Sequence, residues 1–206
     1  MILFPTTVWT HIDHAGARDE RALESFAARY RPVVLSFIRS RGYPSALAED
    51  LCHETFLRVL RGDVLAKADR TRGRFRSLLL TITMRTLHDH HRKRRETPVA
   101  DPEPPASADE PVFDHAWAWH VAERGLEALR DSGSPYYATL VDRLAGRPVD
   151  RKKLWIARRK LATFIRREIA LTCRSPAEFE REVEYLGQYL RPAAGDETKE
   201  VRQSGP

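Results

Sequence analysis

An all-α fold of two small helical domains joined by a linker is what this sequence predicts, and three features lead there. Apolar residues recur at helical spacing along most of the chain, and no stretch has the strict alternation of a half-buried strand. Between residues 96 and 112, Pro98, Pro102, Pro104, Pro105 and Pro111 fall among Asp, Glu, Ala and Ser, a composition that cannot bury enough apolar area to fold. At 206 residues the chain is long enough for two such domains, each with a modest core.

Leu23, Phe26, Ala27, Tyr30, Val34, Phe37 and Ile38 mark the first helix, which Gly42-Tyr43-Pro44 stops. The second runs from about Ser45 to Leu60 with Leu51, Cys52, Phe56, Val59 and Leu60 inward, and Gly62 closes it. Residues 63–73 connect it to a third, from about Phe75 to Arg95, that buries Phe75, Leu78, Leu79 and Ile82 before its last two turns become basic. A first domain over 1–95 and a flexible linker over 96–112 follow. Phe113, Trp117, Val121, Ala122, Leu126 and Leu129 open a second domain over 113–190, with a shorter helix at Tyr137, Leu140, Val141 and Leu144. Asp150 N-caps a long helix to about Thr172, and Ser175-Pro176-Ala177-Glu178 is a capping box starting a final helix to Leu190. The tail over 191–206 is expected to be disordered.

The net charge of +6 is unevenly spread. Residues 1–95 hold 18 Lys and Arg against 10 Asp and Glu, the stretch 96–116 has acids and no bases, and 143–167 is again basic. Two basic modules flanking an acidic linker point to a polyanionic partner, of which nucleic acid is the commonest. No run approaches the ~20 apolar residues of a membrane span, and the N-terminus lacks the pattern of a secretory signal, so the expectation is a cytoplasmic protein without membrane contact. Cys52 and Cys173 are too few for a disulfide framework and lack metal spacing. His88 and His91 share a face at i, i+3, but no third ligand is evident; neither a metal nor another cofactor is expected.

Asp50, Glu54 and Arg58 stand at i, i+4 and i+8, one polar stripe opposite the core side of their helix. Along the third helix Arg74, Arg76, Arg85, Arg92, Lys93, Arg94 and Arg95 supply charge, and His88, His90 and His91 supply the aromatic faces. Trp117 reads as core and Trp119 as an interface residue.

The core Asp50-Leu51-x-x-Glu54-x-Phe56-Leu57 resembles the helix with which sigma-70-type factors grip basic side chains on the clamp-helix coiled coil of the largest RNA polymerase subunit. Thr7-Val8-Trp9-Thr10, Phe37-Ile38-Arg39-Ser40-Arg41-Gly42-Tyr43, Arg72-Gly73-Arg74-Phe75-Arg76-Ser77 and Arg166-Arg167-Glu168-Ile169-Ala170 with its Ser-Pro-Ala-Glu helix extend the likeness. They are similar to extracytoplasmic-function sigma factors of the planctomycete and myxobacterial subset. The resemblance implies a non-enzymatic initiation factor that binds core RNA polymerase and promoter DNA, with an anti-sigma factor as a candidate third partner. It implies polymerase contacts at Asp50, His53, Glu54, Phe56, Leu57 and Arg58. DNA contacts, including recognition and melting of the minus-ten element, fall to Arg74, Arg76, Arg85, His88, His91, Arg92, Lys93, Arg94 and Arg95. Leu78 stands where many such factors have tryptophan, and Arg85 near a position often held by asparagine.

The second domain departs further from the family pattern. Region four ordinarily braces its recognition helix with another helix, yet only five residues separate Leu144 from Asp150, so region four reads as abbreviated. Either the helix ending at Leu144 takes the bracing role, or DNA reading is lost. Arg151, Lys152, Lys153, Arg158 and Arg159 would bind phosphate in either case. The rival readings are a sigma-derived regulator of polymerase or DNA without initiation activity, and a nucleic-acid-processing enzyme. Against the enzyme stands the lack of a two-metal acidic cluster, a nucleophile elbow or a P-loop.

Overall fold

A computed structural model describes residues 20–60, 74–94 and 109–190. Seven helices and no strand occur among them: α1 (Glu20–Ser40), α2 (Ser45–Leu60), α3 (Phe75–Arg94), α4 (Asp109–Asp131), α5 (Tyr136–Leu144), α6 (Arg151–Ala170) and α7 (Pro176–Leu190). The expected connector over 63–73, Arg95 and the tail lie outside the described residues.

The helix ends follow local chemistry. Gly42 adopts φ +82°, a left-handed conformation that costs glycine little, and turns the chain from α1 into α2. Asp150 accepts a hydrogen bond from the Lys153 amide at 2.8 Å and starts α6 as expected. Ser175 Oγ accepts from the Glu178 amide at 3.2 Å, while the Glu178 carboxylate reaches back to the Arg174 amide at 2.9 Å, a capping box shifted by one residue. The start of α4 differs from expectation: Asp109 to Val112 are helical rather than linker. Asp109 and Glu110 favour the positive end of the helix dipole, and Pro111, in the first turn, gives up an amide that has no intrahelical acceptor.

The larger core draws on both sides of the expected linker. Val34, Phe37 and Ile38 of α1, Leu51 and Phe56 of α2 and Phe75, Leu79 and Ile82 of α3 join Phe113 and Trp117 of α4, Ile169 of α6, and Phe179 and Leu186 of α7 in one buried cluster. Tyr30 stacks on Trp117 with ring centroids 5.3 Å apart, and Phe37 meets Phe113 edge-on at 5.3 Å. Leu78 is only half-buried; Leu80 takes the core position instead. A second, smaller cluster of Leu129, Leu140 and Ala157, with Leu126, Leu154, Leu161 and Phe164 against it, holds α5 and the first half of α6 on the end of α4.

Ion pairs cross the same boundary. Arg29 bonds Glu168 at 2.9 Å, Arg41 pairs with Asp109, and the Arg76 guanidinium sits between Asp114 and Glu182. At Gly125 an added Cβ would lie 2.7 Å from Ile165 Cγ1 and 3.0 Å from its backbone nitrogen, so α4 and α6 approach each other through the missing side chain.

Candidate functional site

The two faces of α2 divide the expected polymerase residues. Leu51, Cys52, Thr55, Phe56 and Val59 point into the core; Asp50 and His53 are exposed, and Glu54, Leu57 and Arg58 are half-buried. Phe56 is 4% exposed, so the expected contact to a partner does not hold for it: the helical period that aligns it with Cys52 and Val59 turns it inward. Arg58 donates to Glu54 at 2.6 Å and to Asp89 of α3 at 2.6 Å. Burial works against its charge, but the bonds to Asp89 and Glu54 outweigh it and hold the guanidinium above its ordinary pKa. Arg58 therefore ties α2 to α3 and partly offsets Glu54, while Asp50, Glu54 and Leu57 lie along the outward stripe of α2.

The C-terminal half of α3 carries Arg85, His88, Arg92 and Lys93 exposed, with Arg92 3.2 Å from Asp89. Beside them the α1–α2 turn and α3 enclose a cleft of about 470 Å³ lined by Arg41, Tyr43, Pro44, Leu47, Met84, Leu87, His88 and His91. The Tyr43 hydroxyl and His91 Nε2 are 2.6 Å apart at its edge. An apolar floor edged by Tyr43, His88 and His91, with the cations Arg85, Arg92 and Lys93 beside it on α3, suits a flat group with phosphates alongside. Arg94 belongs to α3, whereas Arg95 lies outside the described residues.

Residues 26–97 match the sigma-70 region 2 family model. They take in most of α1 and all of α2 and α3, so the outward side of α2 and the cleft beside α3 both lie within the stretch that is similar to sigma-70 region 2. No curated protein and no solved structure matches the chain.

Two other residues of the matched stretch sit differently from expectation. Arg76 is 3% exposed, with Nε 2.8 Å from Glu182 Oε1 and Nη1 on Asp114; in this arrangement it reaches no phosphate. Both carboxylates drive its pKa further above the ordinary arginine value despite the burial that opposes the charge. Arg74 is partly exposed at the edge of the same group, 3.6 Å from Glu182 and over the Tyr185 ring at 4.7 Å. Nothing local announces these partners, because they lie on α4 and α7.

Beyond the matched residues, α5 packs on α6 through Leu140 against Ala157, and Leu140 alone of its expected apolar residues is buried. Val141 and Leu144 are exposed. Tyr136 and Tyr137 add to that contact, and the turn between the helices is set by Gly146 at φ +72° and by a 2.6 Å bond from Arg147 to Asp142. Of the two alternatives the sequence left open, this packing is the one in which the helix ending at Leu144 lies against the long helix. Arg151, Lys152, Lys153, Arg158 and Arg159 are all exposed on α6, as is Trp155, which the sequence reading missed although it lies among them.

The thiols offer no chemistry of their own. Burial pushes Cys52 up to about 11 and Cys173 up to about 12, so both stay protonated near neutral pH. Among the described residues no cluster of His, Cys, Asp and Glu could hold a metal ion, and no helix is long and apolar enough to cross a membrane.

Proposed function

We propose that this protein is a sigma factor of the extracytoplasmic-function type, which binds core RNA polymerase and directs it to promoters. The observation that carries the reading is the sigma-70 region 2 match over residues 26–97, a domain of non-enzymatic transcription initiation factors. The arrangement of α2 supports it: Asp50, His53, Glu54 and Leu57 form the outward side of a helix whose other side is core, suited to the basic clamp helices of the largest polymerase subunit. Arg85, His88, His91, Arg92 and Lys93 would then take the non-template strand, and the cations of α6 the upstream duplex, with α5 as the brace of a region-four-like reader. The protein would work in the cytoplasm, where polymerase is, with an anti-sigma factor as a further candidate partner.

The test is a pull-down with core polymerase, followed by run-off transcription on genomic fragments. Asp50→Lys with Glu54→Lys should weaken the complex by about tenfold or more, since like charges placed against the clamp helices cost well over 1 kcal/mol. Helicity should not change. Wild-type affinity in the double variant would overturn the assignment of α2, and run-off products absent with the wild type would remove initiation from the reading.

A further inference from the structure

Trp155 keeps 58% of its surface exposed on α6. The core beneath that helix is complete without it, because Leu154, Ala157, Leu161 and Phe164 already meet Leu129 and Leu140. Most of the ring lies in water, where it adds little to folding beyond its contact with Arg159, and what marks it is the set of cations around it. Lys152, Trp155 and Arg159 stand at i, i+3 and i+7, hence on one stripe of the helix, with exposed Arg151 beside them. The Arg159 guanidinium lies over the indole at 4.7 Å from the ring centroid. It covers one face and leaves the opposite face for a second flat group.

Cations and one open π surface on a single stripe match an unpaired nucleotide. An unpaired base offers its face, whereas in a duplex the faces are taken by stacked neighbours and only edges and phosphates remain. An indole has one N–H donor and reads edges poorly; stacking is what it does well. An apolar protein partner fits less, since the centres of protein interfaces are depleted in lysine.

We infer that this stripe of α6 is a binding site for single-stranded nucleic acid, with Trp155 stacking on one base while Arg151, Lys152 and Arg159 hold the adjoining phosphates. This deepens the proposed function and rests on it: the α6 cations that would hold the upstream duplex gain, through Trp155, a grip on a strand once it is open. The site lies apart from the α3 cleft and adds a second contact for unpaired nucleotides.

The experiment is fluorescence anisotropy of the full chain with labelled strands of about 15 nucleotides: a single-stranded DNA, the RNA of the same sequence and the DNA duplex. Trp155→Ala should lower single-strand affinity by about fivefold or more and duplex affinity by less than about twofold, with Trp155→Phe keeping most of the binding. Arg151→Gln with Lys152→Gln should weaken all three complexes and flatten their salt dependence. The tighter of the DNA and RNA arms identifies the strand that the platform takes. Equal losses on single strand and duplex, or no loss on either, would overturn the platform while leaving wild-type nucleic-acid binding intact; the second result would assign the indole to a protein partner. Failure of the wild type to bind any of the strands would overturn the nucleic-acid reading along with it.

Discussion

Arg76 and Glu182, 106 positions apart in the sequence, are joined by a 2.8 Å hydrogen bond from Nε to Oε1. Asp114 takes Nη1 of the same guanidinium, the Tyr185 hydroxyl donates to the other Asp114 oxygen at 2.6 Å, and the Tyr185 ring lies 4.3 Å from the Arg76 Cζ. Two carboxylates and one arginine are thus withdrawn from water where α3, α4 and α7 meet, and Arg74 at the edge brings the group towards neutrality.

Arg76→Ala should destabilise the protein by about 3–5 kcal/mol, because it strands two buried carboxylates rather than merely removing a contact. Urea titration should show a lower midpoint with an unchanged slope. Replacing all three charges together, Arg76→Met with Asp114→Asn and Glu182→Gln, should recover roughly half of that loss or more, since a neutral set has little to desolvate. A triple variant as unstable as Arg76→Ala would mean that packing, not charge, sets the cost.

His120 is 7% exposed, and its Nε2 has no hydrogen-bond partner among the described residues. Burial, reinforced by the Arg124 charge, lowers its pKa from 6.5 to about 4. The sign is that of a group more easily protonated in the unfolded chain: below pH 6.5 the unfolded state takes up a proton that the folded state refuses. Stability should therefore fall between pH 6.5 and about 4 and level off below, by an amount on the order of 3 kcal/mol from this residue. Unfolding of wild type and His120→Gln at pH 7, 5 and 4 checks it; parallel pH profiles would count against the assignment.

Gly125→Ala sets two effects against each other. Alanine gains up to about 1 kcal/mol of helix propensity over glycine. Its Cβ would meet the Ile165 side chain at 2.7 Å and the Ile165 backbone nitrogen at 3.0 Å, and the backbone of α6 cannot swing aside as a side-chain tip can. The clash should win, with a net loss of about 1–3 kcal/mol. A thermal melt is sufficient to measure it, and a raised midpoint would show that the two helices can part.

Local pattern made most of the helices legible. Ser45 and Leu60 bound α2 as the periodicity predicts, and the Asp150 and Ser175 caps form as their sequences require. At Phe56 the period and the family motif disagreed, and the period was right, since a motif can join core and contact residues in one string. The start of α4 was readable in the acid pair before Pro111 but was masked by the proline-rich composition upstream. Arg76 could not be read, because an arginine between basic neighbours looks like a surface cation until distant helices bring carboxylates to it. Trp155 was legible in principle from its spacing to Lys152 and Arg159.

The stacking of Tyr30 on Trp117 carries a mechanical consequence. With aromatic rings from α1 and α4 sharing one interior, side-chain packing rather than the length of the intervening backbone sets the bearing of α6 relative to α2. The outward side of α2 and the indole of α6 are then two marks on one ruler. Whatever the α2 face docks against, the strand-holding stripe arrives at a fixed offset from it.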